Sequence, residues 1–116
     1  MLNFCKDKKN FKLIKSLNYI NFIKVAQFSE FIFTDSGGIS EEGPSLKKDI
    51  FIARDKTERP EILSSGYVKI IGTDSKTILK KLLNRNKNKI KITNKYNPIG
   101  DGKASKRIHK IFKKVF

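Results

Sequence analysis

Three short apolar runs constrain this chain more than anything else in it. They are residues 30–34 (EFIFT), 49–53 (DIFIA) and 67–71 (YVKII), and a fourth run, residues 11–14 (FKLI), reads as a strand end. None of them alternates apolar with polar residues, as a strand with one wet face would. Strands that are apolar on successive residues belong in a sheet covered on both faces, and such sheets are mostly parallel. Neighbouring parallel strands need a long crossover, usually a helix.

The intervals between the runs supply helices. Residues 18–28 (NYINFIKVAQF) are apolar at positions 19, 20, 22, 23, 25, 26 and 28, which predicts a helix buried on most sides with Asn18 as N-cap. Residues 39–46 read as a short helix, with Pro44 inside its first two turns. Pro60 can open a helical turn running to Ser64, and Gly66 ends it. Thr73 or Asp74 can cap a helix that carries Ile78, Leu79, Leu82 and Leu83 on one face. Residues 84–95 are low in complexity and read as a loop, a weak helix or a mobile segment. Residues 97–102 (NPIGDG) are a turn cluster. Residues 103–116 are amphipathic, with Ala104, Ile108, Ile111, Phe112 and Val115 on one side. The predicted order is β, α, β, α, β, α, β, α, α: an α/β fold whose parallel sheet has helices on both faces.

At 116 residues, the chain has room for one such domain and little for a second with a cleft between them. Residues 1–10 read as a disordered leader and residues 11–116 as the domain. The single cysteine, Cys5, excludes an internal disulfide and has no histidine nearby to activate it. No apolar run approaches the ~20 residues of a membrane span, and the start has no secretory core. The expected compartment is the cytoplasm, without a membrane partner.

Charge is unevenly spread. Residues 76–116 hold 14 basic residues and 1 acidic, so they carry +13 of the total +15. Such a face suits nucleic acid or an anionic surface. Yet 22 of the 26 cations are lysine, whereas arginine is the usual reader of phosphates and bases, and that argues against nucleic acid.

The string TDSGGISEEGPS, residues 34–45, follows the first full strand. In an open parallel sheet, ligands bind beyond the carboxyl ends of the strands. Glycine permits a sharp turn and a close approach, and a helix starting at Gly38 offers free N–H groups and a positive dipole end. Ser36 adds a hydroxyl. Glu42, one turn after Gly38, is placed to accept hydrogen bonds from a ribose diol. A bare tight turn is the alternative reading of Gly-Gly, and acidic residues near a helix start can simply complement its dipole. Neither a P-loop nor a G-x-G-x-x-G motif is present.

Four blocks in order, residues 34–46 (TDSGGISEEGPSL), 54–61 (RDKTERPE), 72–74 (GTD) and 97–104 (NPIGDGKA), resemble the non-hydrolysing UDP-N-acetylglucosamine 2-epimerase family, C-terminal domain only. The likeness runs from about Phe11 to Ile108. It implies the C-terminal half of a GT-B-type pair of Rossmann-like domains, with UDP or a UDP-N-acetylhexosamine as ligand. The implied reaction interconverts UDP-GlcNAc and UDP-ManNAc by elimination of UDP and re-addition after proton exchange at C2. No cofactor or metal is implied. Carried over residue by residue, Ser36, Gly37 and Gly38 match the phosphate turn and Glu42 the ribose-binding glutamate. Phe22 matches the aromatic near the uracil, with plain core as its alternative. Arg59 matches a charge near the phosphates, with an ion pair to Asp55 or Glu58 as its alternative.

Departures are also visible. Ser40 replaces the family's glutamine, and Ile99 replaces the tyrosine of N-P-Y-G-D-G, removing a ring and a hydroxyl that pack toward the domain junction. The resemblance places the catalytic carboxylates and histidine before this stretch, so no catalytic residue is assigned, and His109 reads as a surface or packing residue. The chain is therefore expected to be a truncated or split product, inactive alone, with a separately encoded N-terminal half as the partner that would complete it. The reading from a different class is a non-catalytic nucleotide- or polyanion-binding protein that uses the basic tail.

Overall fold

The computed structural model describes residues 9–85 and 97–115. Most of the leader (with Cys5) and most of the low-complexity segment lie outside the described residues. Three strands, β1 (Phe31–Thr34), β2 (Asp49–Ile52) and β3 (Val68–Ile70), form one parallel sheet in that order. Helix α1 (Tyr19–Phe28) precedes β1. Helix α2 (Gly37–Leu46) crosses from β1 to β2, and a 3-10 helix (Pro60–Ser65) crosses from β2 to β3. Helices α3 (Ser75–Leu83) and α4 (Ala104–Val115) follow.

Strand β2 is the centre, as its unbroken apolar sequence requires. Ile50 and Ile52 face one way and cluster with Ile62 of the 3-10 helix and Val68, with Ile32 and Ile99 packed against them. Phe51 faces the other way, meets Phe31 edge-on at 5.7 Å between ring centres, and lies under Lys69. The guanidinium of Arg85, just past α3, covers Phe31 at 4.6 Å. Both faces of the sheet are thus covered, as expected for a parallel sheet.

Local signals account for the helix ends. Asn18 caps α1 by accepting from the Asn21 amide at 2.9 Å. Of the two candidates before α3, Asp74 is the cap, accepting from Thr77 N at 2.8 Å. Pro44 is the eighth residue of α2, past the first two turns, because the helix begins at Gly37 rather than at Ile39. Pro44 offers no N–H to the turn before it, and the helix ends two residues later.

Two expectations fail. Residues 11–14 form no strand: they are exposed and unpaired in any sheet. Helix α1 is not buried on most sides. Only Ala26 is buried, because the helix leans on α2 along one stripe. On α3, Ile78 and Leu82 are half-buried while Leu79 and Leu83 are exposed, since a helix rolling on a narrow sheet covers only one of two adjacent ridges. The amphipathic α4 does form, but every one of its residues is exposed. At its start, Asp101 accepts both Arg107 nitrogens at 2.8 and 3.0 Å, which holds its carboxyl well below the usual carboxylate range. No described helix is long and apolar enough to cross a membrane.

Helix α2 approaches β2 closely at Gly43. A Cβ there would overlap Ile50 Cδ1 and lie 2.9 Å from Ile50 Cγ1, both fully buried. Gly43→Ala is therefore expected to destabilise the domain by about 1–3 kcal/mol through overpacking, seen as a lower urea midpoint. Pairing it with Ile50→Val should cost less than the sum of the two single changes. Additive losses would show that the contact is not the cause.

Candidate functional site

Strand β1 ends at Thr34, whose hydroxyl accepts from the Ser36 amide at 2.9 Å. The bond closes a small turn and delivers Ser36 as the N-cap residue of α2. Its side chain makes no capping bond. The first N–H groups of α2 are therefore left without a side-chain acceptor, at the positive end of the helix dipole.

Gly37 and Gly38 stand at this opening. Neither has a positive φ, so the sharp turn expected of them is not what requires glycine. Packing does not require it either: a Cβ on Gly37 would meet nothing within 4 Å, and one on Gly38 would have only ordinary contact with Ser36 Oγ at 3.9 Å. What the missing side chains provide is open access to backbone N–H groups.

A cleft of about 360 Å³ lies beside this opening. Phe22, Ser36, Gly38 and Glu42 line it together, with Tyr19, Phe33 and Thr34 among their neighbours. Four of the six residues named from sequence thus share one space. Phe22 is 40% exposed, so it is a cleft wall and not core. Gly37 and Arg59 lie on the other side of the helix start, in a smaller recess with Ser40, Glu41 and Glu58. Arg59 Nε pairs with Glu41 at 3.0 Å, not with Asp55 or Glu58. Asp55 instead accepts from the Thr73 hydroxyl at 3.3 Å. Ser40 is buried and turns its hydroxyl back to the Gly37 carbonyl.

Two features were not anticipated from the sequence. Tyr19 lines the cleft beside Glu42, whose negative charge raises the phenol above its ordinary range. Asn97 clamps the NPIGDG turn onto α2, donating from Nδ2 to Glu41 O at 2.7 Å and Ser45 Oγ at 3.0 Å. The substituted Ile99 packs on the core cluster beside it. His109 is exposed on α4, and no group of metal-ligating side chains occurs among the described residues.

A family model described as UDP-N-acetylglucosamine 2-epimerase matches residues 1–113, starting ahead of the motif blocks. The UDP-N-acetylglucosamine 2-epimerase of Bacillus subtilis is 45% identical over 105 residues, covering 88% of this chain and 28% of that protein. The Neisseria meningitidis UDP-GlcNAc 2-epimerase, solved bound to UDP-GlcNAc, superimposes with a TM-score of 0.75 at 39% identity, over 90% of this chain and 30% of its own. The S. aureus MnaA–UDP structure matches with a TM-score of 0.78 at 38% identity, over 94% and 30%. The chain thus spans less than a third of the length of these relatives.

Since Gly37 and Gly38 serve neither backbone nor packing, replacing either with alanine should leave stability unchanged or raise it by up to ~1 kcal/mol. Thermal unfolding checks this. A loss of more than about 1 kcal/mol would mean that the fold itself needs these glycines.

Proposed function

Because the chain belongs to the UDP-N-acetylglucosamine 2-epimerase family, we propose that it forms the UDP-binding, C-terminal portion of such an enzyme. In this reading residues 11–116 are one Rossmann-like domain working in the cytoplasm on UDP-GlcNAc and UDP-ManNAc. The observation that carries the proposal is the joint placement of Phe22, Ser36, Gly38 and Glu42 around one cleft at an uncapped helix start. The UDP-GlcNAc and UDP bound by two relatives support the ligand class.

Each group then has a task. The amides of Gly37 and Gly38 and the Ser36 hydroxyl donate to the diphosphate. Arg59, held by Glu41 across the helix start, adds positive charge on the far side. Glu42 accepts from the ribose diol, and Phe22 flanks the base. When the C1–O bond to UDP breaks, charge builds on the departing diphosphate, and preorganised donors stabilise it there. Moving the C2 proton needs an acid/base pair. That pair comes from outside these 116 residues in this reading, and a separately encoded N-terminal half is the partner that would bring it.

Two outcomes follow. UDP should bind weakly, because a one-sided cleft leaves much of the ligand in water. Ser36→Ala and Glu42→Ala should each weaken binding by about three- to tenfold, the worth of one hydrogen bond. NMR titration measures this, and unchanged affinity in both variants would refute the site. The chain by itself should exchange no deuterium into C2 of UDP-GlcNAc in deuterated water. Incorporation above a protein-free control would show that an acid/base group is present after all.

A further inference from the structure

On the face of the sheet opposite α2, helix α3 stands over strands β2 and β3. Its half-buried residues are Ile78 and Leu82. The stripe beside them runs through Thr77, Lys80 and Lys81 to Asn84 at the C-cap. These positions are spaced i, i+3, i+4 and i+7, so they share one side of the helix. A stripe at that spacing that packed on a sheet would be apolar. Here it is polar and cationic, and it faces apolar residues of the sheet across a cavity of about 640 Å³. That volume is typical of small-molecule sites.

The sheet side of the cavity is Phe51, Ile70 and Ile71, of which Phe51 and Ile71 are buried. Strand register sets Lys69 beside Phe51, with Nζ 5.2 Å from the ring centre. Arg85 lines the same space. Four cations therefore surround it, and no carboxylate lines it among the described residues. Of the four, only Arg85 has an ion-pair partner there, Glu30 at 3.1 Å. Lys81 Nζ donates to the Ile71 carbonyl at 3.3 Å, which holds one ammonium group against the apolar wall. Charges of one sign along a wall of low dielectric focus the field and raise the local concentration of anions.

We infer that this cavity is a second ligand site, which takes an organic anion with an apolar body. The anionic head meets the lysines of α3 and Lys69, and the body covers Ile70 and Ile71. Neither half suffices alone. A bare inorganic anion leaves the apolar wall wet, and an uncharged body leaves the cations unopposed. The cavity shares no lining residue with the cleft or the recess at the start of α2, so the inference does not depend on the nucleotide reading.

The test titrates the full chain with 1-naphthyl phosphate, inorganic phosphate and 1-naphthol, following amide shifts by NMR. Naphthyl phosphate should shift Ile70, Ile71, Thr77 and Lys80, and should bind at least about tenfold more tightly than either half alone. Lys80→Glu should weaken it about three- to tenfold. Lys106→Glu makes the same change of charge on α4, outside the cavity, and should weaken it by less than about twofold. Both lysines are exposed, so the fold should be unaffected, and amide spectra check that. Equal affinity for inorganic phosphate would reduce the cavity to a charged surface, and equal affinity for 1-naphthol to an apolar one. Either result overturns the site, as does a shift pattern centred elsewhere, no loss in Lys80→Glu, or an equal loss in the two variants.

Discussion

The contact between Gly43 and Ile50 is the constraint on which the rest of this structure depends. Ile50 is fully buried at the centre of the central strand, so its side chain can fill only the space that its neighbours leave. Gly43 leaves that space by having no side chain. The backbone of α2 can then lie directly on the sheet. Because α2 follows β1 after a two-residue turn, docking its far half at Gly43 also fixes its near end. The open N-terminus is thereby held at the carboxyl edge of the sheet. Asn97 holds the same helix from the other side, through the Glu41 carbonyl and the Ser45 hydroxyl.

That arrangement gives the site its electrostatic character. A helix start without a side-chain cap presents unpaired donors, and a carboxylate in the first turn would tend to occupy them. Here the first turn holds no acidic residue, and the two glutamates lie in the second. Glu41 pairs with Arg59, and Glu42 lines the cleft beside Tyr19. The amides stay accessible at the centre, a cation stands on one flank and an acceptor on the other. In the proposed reading, this order complements a nucleoside diphosphate, with its anionic phosphates and then its hydroxyl-bearing sugar.

Away from the site, much apolar surface remains in water. Phe28 is 86% exposed, and Leu83 and Val115 are each 69% exposed. Each ~100 Å² of such surface forgoes roughly 2.5 kcal/mol of burial, which is large against a typical stability of ~5–15 kcal/mol. Three strands make a narrow sheet, and a helix resting on it can bury one ridge and no more. A chain that spans less than a third of its relatives, with apolar ridges on α1, α3 and α4 turned outward, has surface suited to further packing partners.

The amino-acid sequence by itself determined the class of fold and the chemistry of the turn. Apolar runs without alternation allow only a sheet covered on both faces, and the strands, the Asn18 cap and the αL end at Gly66 follow from local rules. The blocks that carry the family resemblance are also local, so Ser36, Gly38 and Glu42 can be named from them alone, and the fold brings the three to one cleft. Tertiary structure decided the rest, because it depends on which surfaces meet. Gly43 reads as an ordinary helix glycine until Ile50 is placed beside it. Residues 11–14 read as a strand, yet apolar composition cannot supply a pairing edge. The apolar positions of α1 imply burial, but burial requires neighbours, and only the stripe through Ala26 has them. Tyr19 was read as one more apolar helix residue. Only the packing of α1 against α2, elements separate in sequence, places it beside Glu42 on the cleft wall.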